Sequence, residues 1–443
     1  MSRPVSRSGS PAPGSPGPGS AGSAKPARPP GPWLGREVEL AVGPVAHGGH
    51  CVARPVGDPG GRVVFVRHAL PGERVLGLVT EDTGGSYCRA DAIRVLAASP
   101  DRVPPPCAHA GPGRCGGCDF QHASGPAQRA LKTAVLREAL ARLGGLPADV
   151  LASRSLAVEV EELPGGLLGW RTRARFAATQ DGWLGLRRHR SHDVEPLDHC
   201  PLTTDEVRAA GVLGRRWPGA GTVEVVAAPS GLAVLETPRA AHARPRRTGP
   251  AVLVEHAAGR DWQVSATGFW QVHPAAADVL AGCVRSMLRP VPGERALDLY
   301  AGAGLFAGVL ATAVGEAGRV LAVEADPVAV RDATANLARY PCASVRHARV
   351  TPRLLAGLAG QDGLDLRPDL VVLDPPRAGA GQQVMAAVCG LGARAVVYVA
   401  CDPAALARDL RRAAEHGYQL AGLRAFDLFP MTHHLEAVAL LER

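Results

Sequence analysis

Leu297-Asp298-Leu299-Tyr300-Ala301-Gly302-Ala303-Gly304 reads as a buried strand that runs into a glycine turn and then a helix. Glycines let the backbone approach a ligand closely, and the start of the next helix favours negative charge. From about residue 270 to the end, helix and strand alternate around this stretch. Runs at 296–300, 320–324, 370–374 and 395–400 read as buried strands with helical segments between them. That alternation predicts an α/β fold, a Rossmann-like parallel sheet covered on both faces. Two last strands, 423–429 and 436–441, are joined by too short a loop for a parallel crossover, so they should be antiparallel neighbours.

The glycine turn alone leaves the ligand open. Glu324 ends the second strand, where a carboxylate can accept hydrogen bonds from both hydroxyls of a ribose, and Gly302-Ala303-Gly304-Leu305-Phe306-Ala307 also satisfies the dinucleotide fingerprint. The run at 370–374 decides. Asp374-Pro375-Pro376-Arg377-Ala378-Gly379 stands at its carboxyl end, where open α/β sheets bind ligands. An acidic residue followed by two rigid prolines resembles the motif of class I methyltransferases acting on nucleobases, and hydride transfer has no use for it.

Tyr398-Val399-Ala400-Cys401-Asp402-Pro403 closes the run at 395–400 on the same sheet edge. Carbon 5 of uracil is a poor nucleophile toward a sulfonium methyl. Addition of a thiolate to carbon 6 makes an enolate that can attack, and a base must then remove the carbon 5 proton. Such a site needs one activated cysteine and one acceptor. Cys401 is the candidate thiol, and Glu436, after Phe429-Pro430-Met431-Thr432-His433-His434-Leu435, is the candidate base. A lone cysteine is most often a small buried hydrophobe. It is the joint occurrence with Asp374-Pro375-Pro376 that favours chemistry.

Upstream, residues 33–97 hold short β-rich runs split by Gly and Pro, at 38–42, 51–54, 62–66 and 75–79, which predict a small antiparallel barrel. Cys107, Cys115 and Cys118 follow, with Cys200 far downstream. Four thiolates hold either zinc or an iron–sulfur cluster, and spacing does not choose. Residues 127–143 carry Leu131, Val135, Leu136, Leu140 and Leu143 at helical spacing. In the β-rich region that follows, Asp181-Gly182 marks a hairpin. Arg171, Arg173 and Arg175 alternate on its first strand, so three guanidinium groups should share one face and meet phosphate. The division expected is a disordered tail (1–32), an OB-like barrel (33–97), a central β-rich domain with the cysteines (98–260) and the α/β domain (261–443).

The chain has 443 residues, a formal net charge of +8 and 46% hydrophobic residues. This fits two or three packed domains and favours a polyanionic partner. No apolar run approaches the roughly 20 residues of a membrane span, and no export signal is read, so a cytoplasmic location with reduced thiols is expected. No obligate protein partner is evident in the sequence.

From Trp33 onward the chain resembles the bacterial RNA uridine-C5 methyltransferases, which make 5-methyluridine in tRNA and 23S rRNA. The resemblance rests on Phe269-Trp270-Gln271-Val272, the glycine turn, Asp374 to Gly379, Cys401-Asp402-Pro403 and Phe429 to Glu436. It implies that Gln271, Tyr300, Glu324 and Asp374 bind S-adenosylmethionine, that Cys401 is the nucleophile and that Glu436 is the base. It implies a 4Fe–4S cluster, rather than zinc, on Cys107, Cys115, Cys118 and Cys200. The barrel is similar to a TRAM domain, which implies RNA binding. The chain departs from the family where Asp402 replaces Asn and Met431 replaces His; an ionised Asp402 close to the thiol would raise its pKa. A cytosine methyltransferase and a non-catalytic RNA binder are the competing readings.

Overall fold

The computed structural model describes residues 31–58, 60–152, 156, 158–358 and 367–443. Apart from residues 31 and 32, the tail read at 1–32 lies outside them. Among the described residues, no helix is long and apolar enough to cross a membrane.

Strands β1 (Glu37–Ala46), β2 (His50–Pro55), β3 (Val63–Arg67), β4 (Arg74–Glu81) and β5 (Tyr87–Ala97) close into a barrel in the order β1-β2-β3-β5-β4. Leu40, Ala53, Val64, Val66, Val75 and Val79 fill it. The sequence reading missed β5, whose inward face is built from the small residues Cys88, Ala90 and Ala92. Helix α1 (Gly125–Arg142) starts where the Ser124 hydroxyl accepts a bond from the Ala127 amide, with a proline in its first turn. Its Leu131 packs on the barrel core, and its Leu136 and Leu140 enter the core of the C-terminal sheet. Helix α2 (Ala148–Leu151) and strand β6 (Val160–Glu161) follow.

Strands β7 (Arg173–Ala178), β8 (Leu184–Arg187) and β9 (Val194–Pro196), helix α3 (Asp205–Ala209), and strands β10 (Ala220–Ala228), β11 (Gly231–Pro238) and β12 (Arg246–Thr248) form the central region. Its six strands run in the order β12-β11-β10-β7-β8-β9. The Asp181-Gly182 hairpin is present, its turn closed by the Thr179 amide donating to the Trp183 carbonyl at 2.8 Å. Arg173 and Arg175 do share a face of β7, but the three guanidinium groups are not presented together. Arg171 precedes the strand and stacks on Trp170, Arg173 is buried against Glu255 at 3.5 Å, and only Arg175 is exposed on the strand. The carboxylate on β13 (Val252–Ala257) draws Arg173 inward, because a buried guanidinium needs an ionic partner.

The hairpin of β13 and β14 (Arg260–Ser265) spans the boundary read between 260 and 261. After helix α4 (Ala276–Leu288), strands β15 (Arg295–Leu299), β16 (Arg319–Glu324), β17 (Ala343–His347), β18 (Leu370–Leu373) and β19 (Ala395–Ala400) alternate with helices α5 (Leu305–Val314), α6 (Pro327–Leu337), α7 (Pro352–Leu358), α8 (Gln382–Gly390) and α9 (Pro403–Glu415). Strands β20 (Gln419–Phe426) and β21 (Glu436–Glu442) complete an eight-stranded sheet in the order β17-β16-β15-β18-β19-β21-β20-β6. β15 to β19 are parallel, and β21 runs antiparallel to both neighbours. Every residue of β18 is buried, as a strand covered on both faces requires, and each such aliphatic side chain contributes about 1.5–3 kcal/mol. The hairpin packs on α6, where Asn336 and Asp332 accept bonds from the Gln263 and Ser265 amides at 2.8 Å each.

Candidate active site

Four strand ends converge at the carboxyl edge of the sheet: Tyr300 after β15, Glu324 on β16, Asp374 after β18 and Cys401 after β19. Ala400 of β19 lies opposite Ala437 of β21, so one step further along the pair Cys401 comes beside Glu436. On its other flank Glu436 faces Phe426 of β20, which leaves the carboxylate only 4% exposed.

Burial pushes the Cys401 thiol up to about 11; Glu436 and Asp374 add to the rise and the Arg377 guanidinium opposes it. Glu436 is held well above the usual carboxylate range by burial and then by Asp374, again against Arg377. Asp374 is raised by burial. One thiol, two carboxyl groups and one guanidinium therefore act on one another, with Glu436 buried, Asp374 and Cys401 half-buried and Arg377 exposed. Asp402 turns away from it: one carboxylate oxygen accepts from the Ala405 amide at 2.8 Å, capping α9, and the other faces His47 Nε2 at 3.0 Å.

The loop after Asp374-Pro375-Pro376 is held by residues the sequence gave no reason to single out. Asp409 Oδ2 on α9 accepts from the Ala380 amide at 2.8 Å, the Gly381 amide at 3.2 Å and the Tyr398 hydroxyl at 2.7 Å. Arg377 Nη2 stands 3.4 Å from His434 Nε2. Burial, then the charges of His433 and Arg377, lower His434 to about 3, so its imidazole is neutral and accepts that bond.

The glycine turn is fixed by carboxylates. Glu324 accepts from the Gly302 amide at 2.9 Å with one oxygen and from the Ala325 and Asp326 amides, at 2.6 and 2.7 Å, with the other. Tyr300 takes a left-handed conformation, φ 63°, at the bend. Asp298 is fully buried; one oxygen accepts from the Ala307 amide at 2.7 Å in the first turn of α5 and the other has no partner. The fourth residue read as a cofactor ligand, Gln271, lines a cavity of about 290 Å³ with Thr172, Thr204, Glu255, Trp270 and His273.

The segment leading to Glu436 is gripped from the cysteine side. Met431, at φ 69°, receives the Asp119 and Phe120 amides on its carbonyl at 2.9 Å each and donates its own amide to Gln128 at 2.7 Å. Asp119 accepts from the His433 amide at 3.0 Å and faces its Nδ1 at 2.6 Å. Beside Asp119, the Gln121 side chain accepts from the Cys107 amide and donates to Cys118 Sγ, both at 3.1 Å, and the Gly117 amide donates to Cys115 Sγ at 3.5 Å. Burial lifts the Cys115 and Cys118 thiols to about 11 and about 12, with the charge of Cys200 adding to both. Among the described residues no group of three or more His, Cys, Asp or Glu stands close enough to hold a metal ion. Cys51, Cys88, Cys283, Cys342 and Cys389 are packed among apolar side chains.

A glycine turn braced by Glu324, with an Asp-Pro-Pro loop after the neighbouring strand, defines a class I S-adenosylmethionine-dependent methyltransferase. Residues 286–443 match the family model of tRNA (uracil-5-)-methyltransferases. The chain is 47% identical to an RNA methyltransferase of Streptomyces avermitilis, over 92% of this chain and 99% of that one. It is 33% identical to the 23S rRNA (uracil(1939)-C(5))-methyltransferase of Halomonas elongata, over 91% and 89% of the two chains. The fold is shared with the tRNA (uracil-54, C5)-methyltransferase of Pyrococcus abyssi, solved with S-adenosyl-L-homocysteine, at 21% identity, TM-score 0.65 and coverage of 90% and 99%. The chain belongs to the family of S-adenosylmethionine-dependent RNA uracil-C5 methyltransferases.

Proposed function

We propose that the enzyme methylates a uridine of structured RNA through a covalent adduct between Cys401 and carbon 6, with Glu436 removing the carbon 5 proton. The observation that carries this reading is the pairing of β19 with β21, which sets residues 401 and 436 side by side at the sheet edge that also bears Asp374. S-adenosylmethionine supplies a sulfonium methyl when bound, and Tyr300, Glu324, Asp374 and Gln271 are its proposed ligands. Cys401 loses its proton and adds to carbon 6, so that carbon 5 carries the enolate charge. Once carbon 5 has been methylated, Glu436 takes its proton, the carbon 5–carbon 6 double bond re-forms and the thiolate leaves. A group kept dry and raised in pKa suits that acceptance, as long as Arg377 favours its ionised form. The target base must leave its stack to reach the thiol, which favours a loop or a melted stem.

The barrel at 33–97 is proposed to hold RNA as a TRAM domain, the region at 98–260 to carry the cysteines and 261–443 to carry the chemistry. For the cysteines a 4Fe–4S cluster is proposed on Cys107, Cys115, Cys118 and Cys200. N–H donors aimed at the half-buried Cys115 and Cys118 sulfurs favour thiolate there, although the four thiols do not stand close enough together in this structure to hold a metal ion. The cluster would tie the barrel side to the central sheet. The likeness to the Halomonas enzyme over nearly its whole length favours 23S rRNA over tRNA.

The test is mass-spectrometric mapping of 5-methyluridine in rRNA and tRNA from cells with and without the gene, with 5-fluorouridine RNA as a trap in vitro. Loss of one 5-methyluridine and a trapped adduct absent from Cys401→Ala are expected. Methylated cytidine, or turnover by Cys401→Ala, would sink the reading.

A further inference from the structure

The turn between β1 and β2 reaches from the barrel into the catalytic edge. His47 Nε2 lies 3.0 Å from Asp402 Oδ2, across 355 positions of sequence. The other Asp402 oxygen caps α9, so the residue after Cys401 is fixed from two sides. The His47 ring also meets the His433 ring edge-on, with centroids 6.3 Å apart. Gly49, two residues on, takes φ 77°, and a side chain there would meet Asp119 at 2.9 Å and His433 at 3.2 Å. The turn thus contacts both the segment that bears the thiol and the segment that leads to Glu436.

We propose that His47 is a positioning residue for methyl transfer, holding Asp402 and through it the strand end that carries Cys401, so that seating the barrel and preparing the thiol are one event. The proposal rests on reading Cys401 as the nucleophile. The charged groups acting on His47 are Asp402, whose hydrogen bond and charge raise it, and Arg408, which lowers it; His433 faces it edge-on. Those acting on Cys401 are Glu436, Asp374 and Arg377. With His47 protonated and paired, the Asp402 charge is neutralised at the barrel. With His47 removed, Asp402 is held only by its cap on α9, and the strand end is free to carry the thiol away from Arg377, the cation that favours the thiolate.

The test is a double-mutant cycle on the full chain, with His47→Ala, Asp402→Asn and both together. It is read by the rate of adduct formation with transcribed 5-fluorouridine 23S rRNA and tRNA across pH, beside the thermal midpoint. His47 is half exposed, so the coupling is that of a partly screened pair. His47→Ala is expected to slow adduct formation at neutral pH by about two- to fivefold and to move its pH profile alkaline. His47→Lys should recover the wild-type profile, and in the Asp402→Asn background the His47→Ala effect should vanish. Equal loss in both backgrounds, or an unmoved pH profile, overturns the proposal while leaving the nucleophile in place. A wild-type enzyme that methylates RNA but forms no adduct overturns the Cys401 reading and this one with it.

Discussion

Lys132 Nζ and Asp427 Oδ1 stand 2.5 Å apart in a fully buried ion pair joining α1 to the segment that leads into Glu436. The ammonium also donates to the Phe429 carbonyl at 3.1 Å. Breaking a buried pair from one side leaves a charge with no partner. Lys132→Met should therefore cost about 3–5 kcal/mol. Denaturant titration of Lys132→Met beside Lys132→Met/Asp427→Leu checks this, and the second change should recover most of the loss.

Glu436→Gln should separate attack from release. If Glu436 is the proposed proton acceptor, the methylated adduct should accumulate on ordinary uridine RNA, and turnover should fall by about 10²- to 10⁴-fold. A denaturing gel shift that needs Cys401, alongside steady-state turnover, reads both. Free turnover by this variant would refute the role of the glutamate.

The same carboxyl groups set a dependence of stability on pH. Glu436 and Asp374 hold their protons in the folded state to higher pH than in the unfolded chain, Asp374 to about 7. Their contribution is fully present below the ordinary carboxylate pKa and is lost as pH rises through the folded values, at no more than about 1.4 kcal/mol per pH unit for each proton. Without ligand, Glu436→Gln should raise the melting midpoint at pH 8 more than at pH 5. An equal shift at both values would contradict the sign.

Arg377 is the cation that lowers both Cys401 and Glu436. Arg377→Met should move the adduct-formation profile alkaline and slow the reaction at pH 7 by about tenfold or more, as loss of one pKa unit of thiolate stabilisation requires. Stopped-flow or quench measurements with 5-fluorouridine RNA between pH 6 and 9 check it.

Arg175 and Arg173 should behave as opposites. Arg175→Ala, at an exposed position, should leave the midpoint near wild type and reduce the salt slope of RNA binding by about one, if the strand meets phosphate. Arg173→Ala strands Glu255 in the interior and should lower stability. Filter binding across salt, set beside thermal unfolding, separates the two.

The strands that carry the proposed site were legible because each is an apolar run ending in a residue suited to the proposed chemistry: Glu324, Asp374, Cys401. The antiparallel pairing of β20 with β21 followed from loop length alone, whereas that of β19 with β21 had no signal in the sequence. Alternation places Ala174, Phe176 and Ala178 on the core side of β7, but could not tell that the arginine side is covered at Arg173, since Glu255, which pairs with it there, lies 82 positions away. Asp409 and His47 were equally invisible. Each acts through one long-range contact, and neither sits in a run or spacing that marks it. β17 escaped because none of its residues is fully buried, so it carries little of the apolar signal that gave away its neighbours.

The outermost strand of the eight-stranded sheet, β6, comes from residues far ahead of the rest, and α1 before it lays Leu136 and Leu140 into the same core. The catalytic half is therefore not a cassette that can be cut at residue 261 and joined to another RNA-binding module. Such a graft would lose its own edge and part of its own interior. Lineages that retarget this enzyme to a new uridine would have to reshape loops and surfaces in place, because the architecture leaves no clean seam along which to exchange parts.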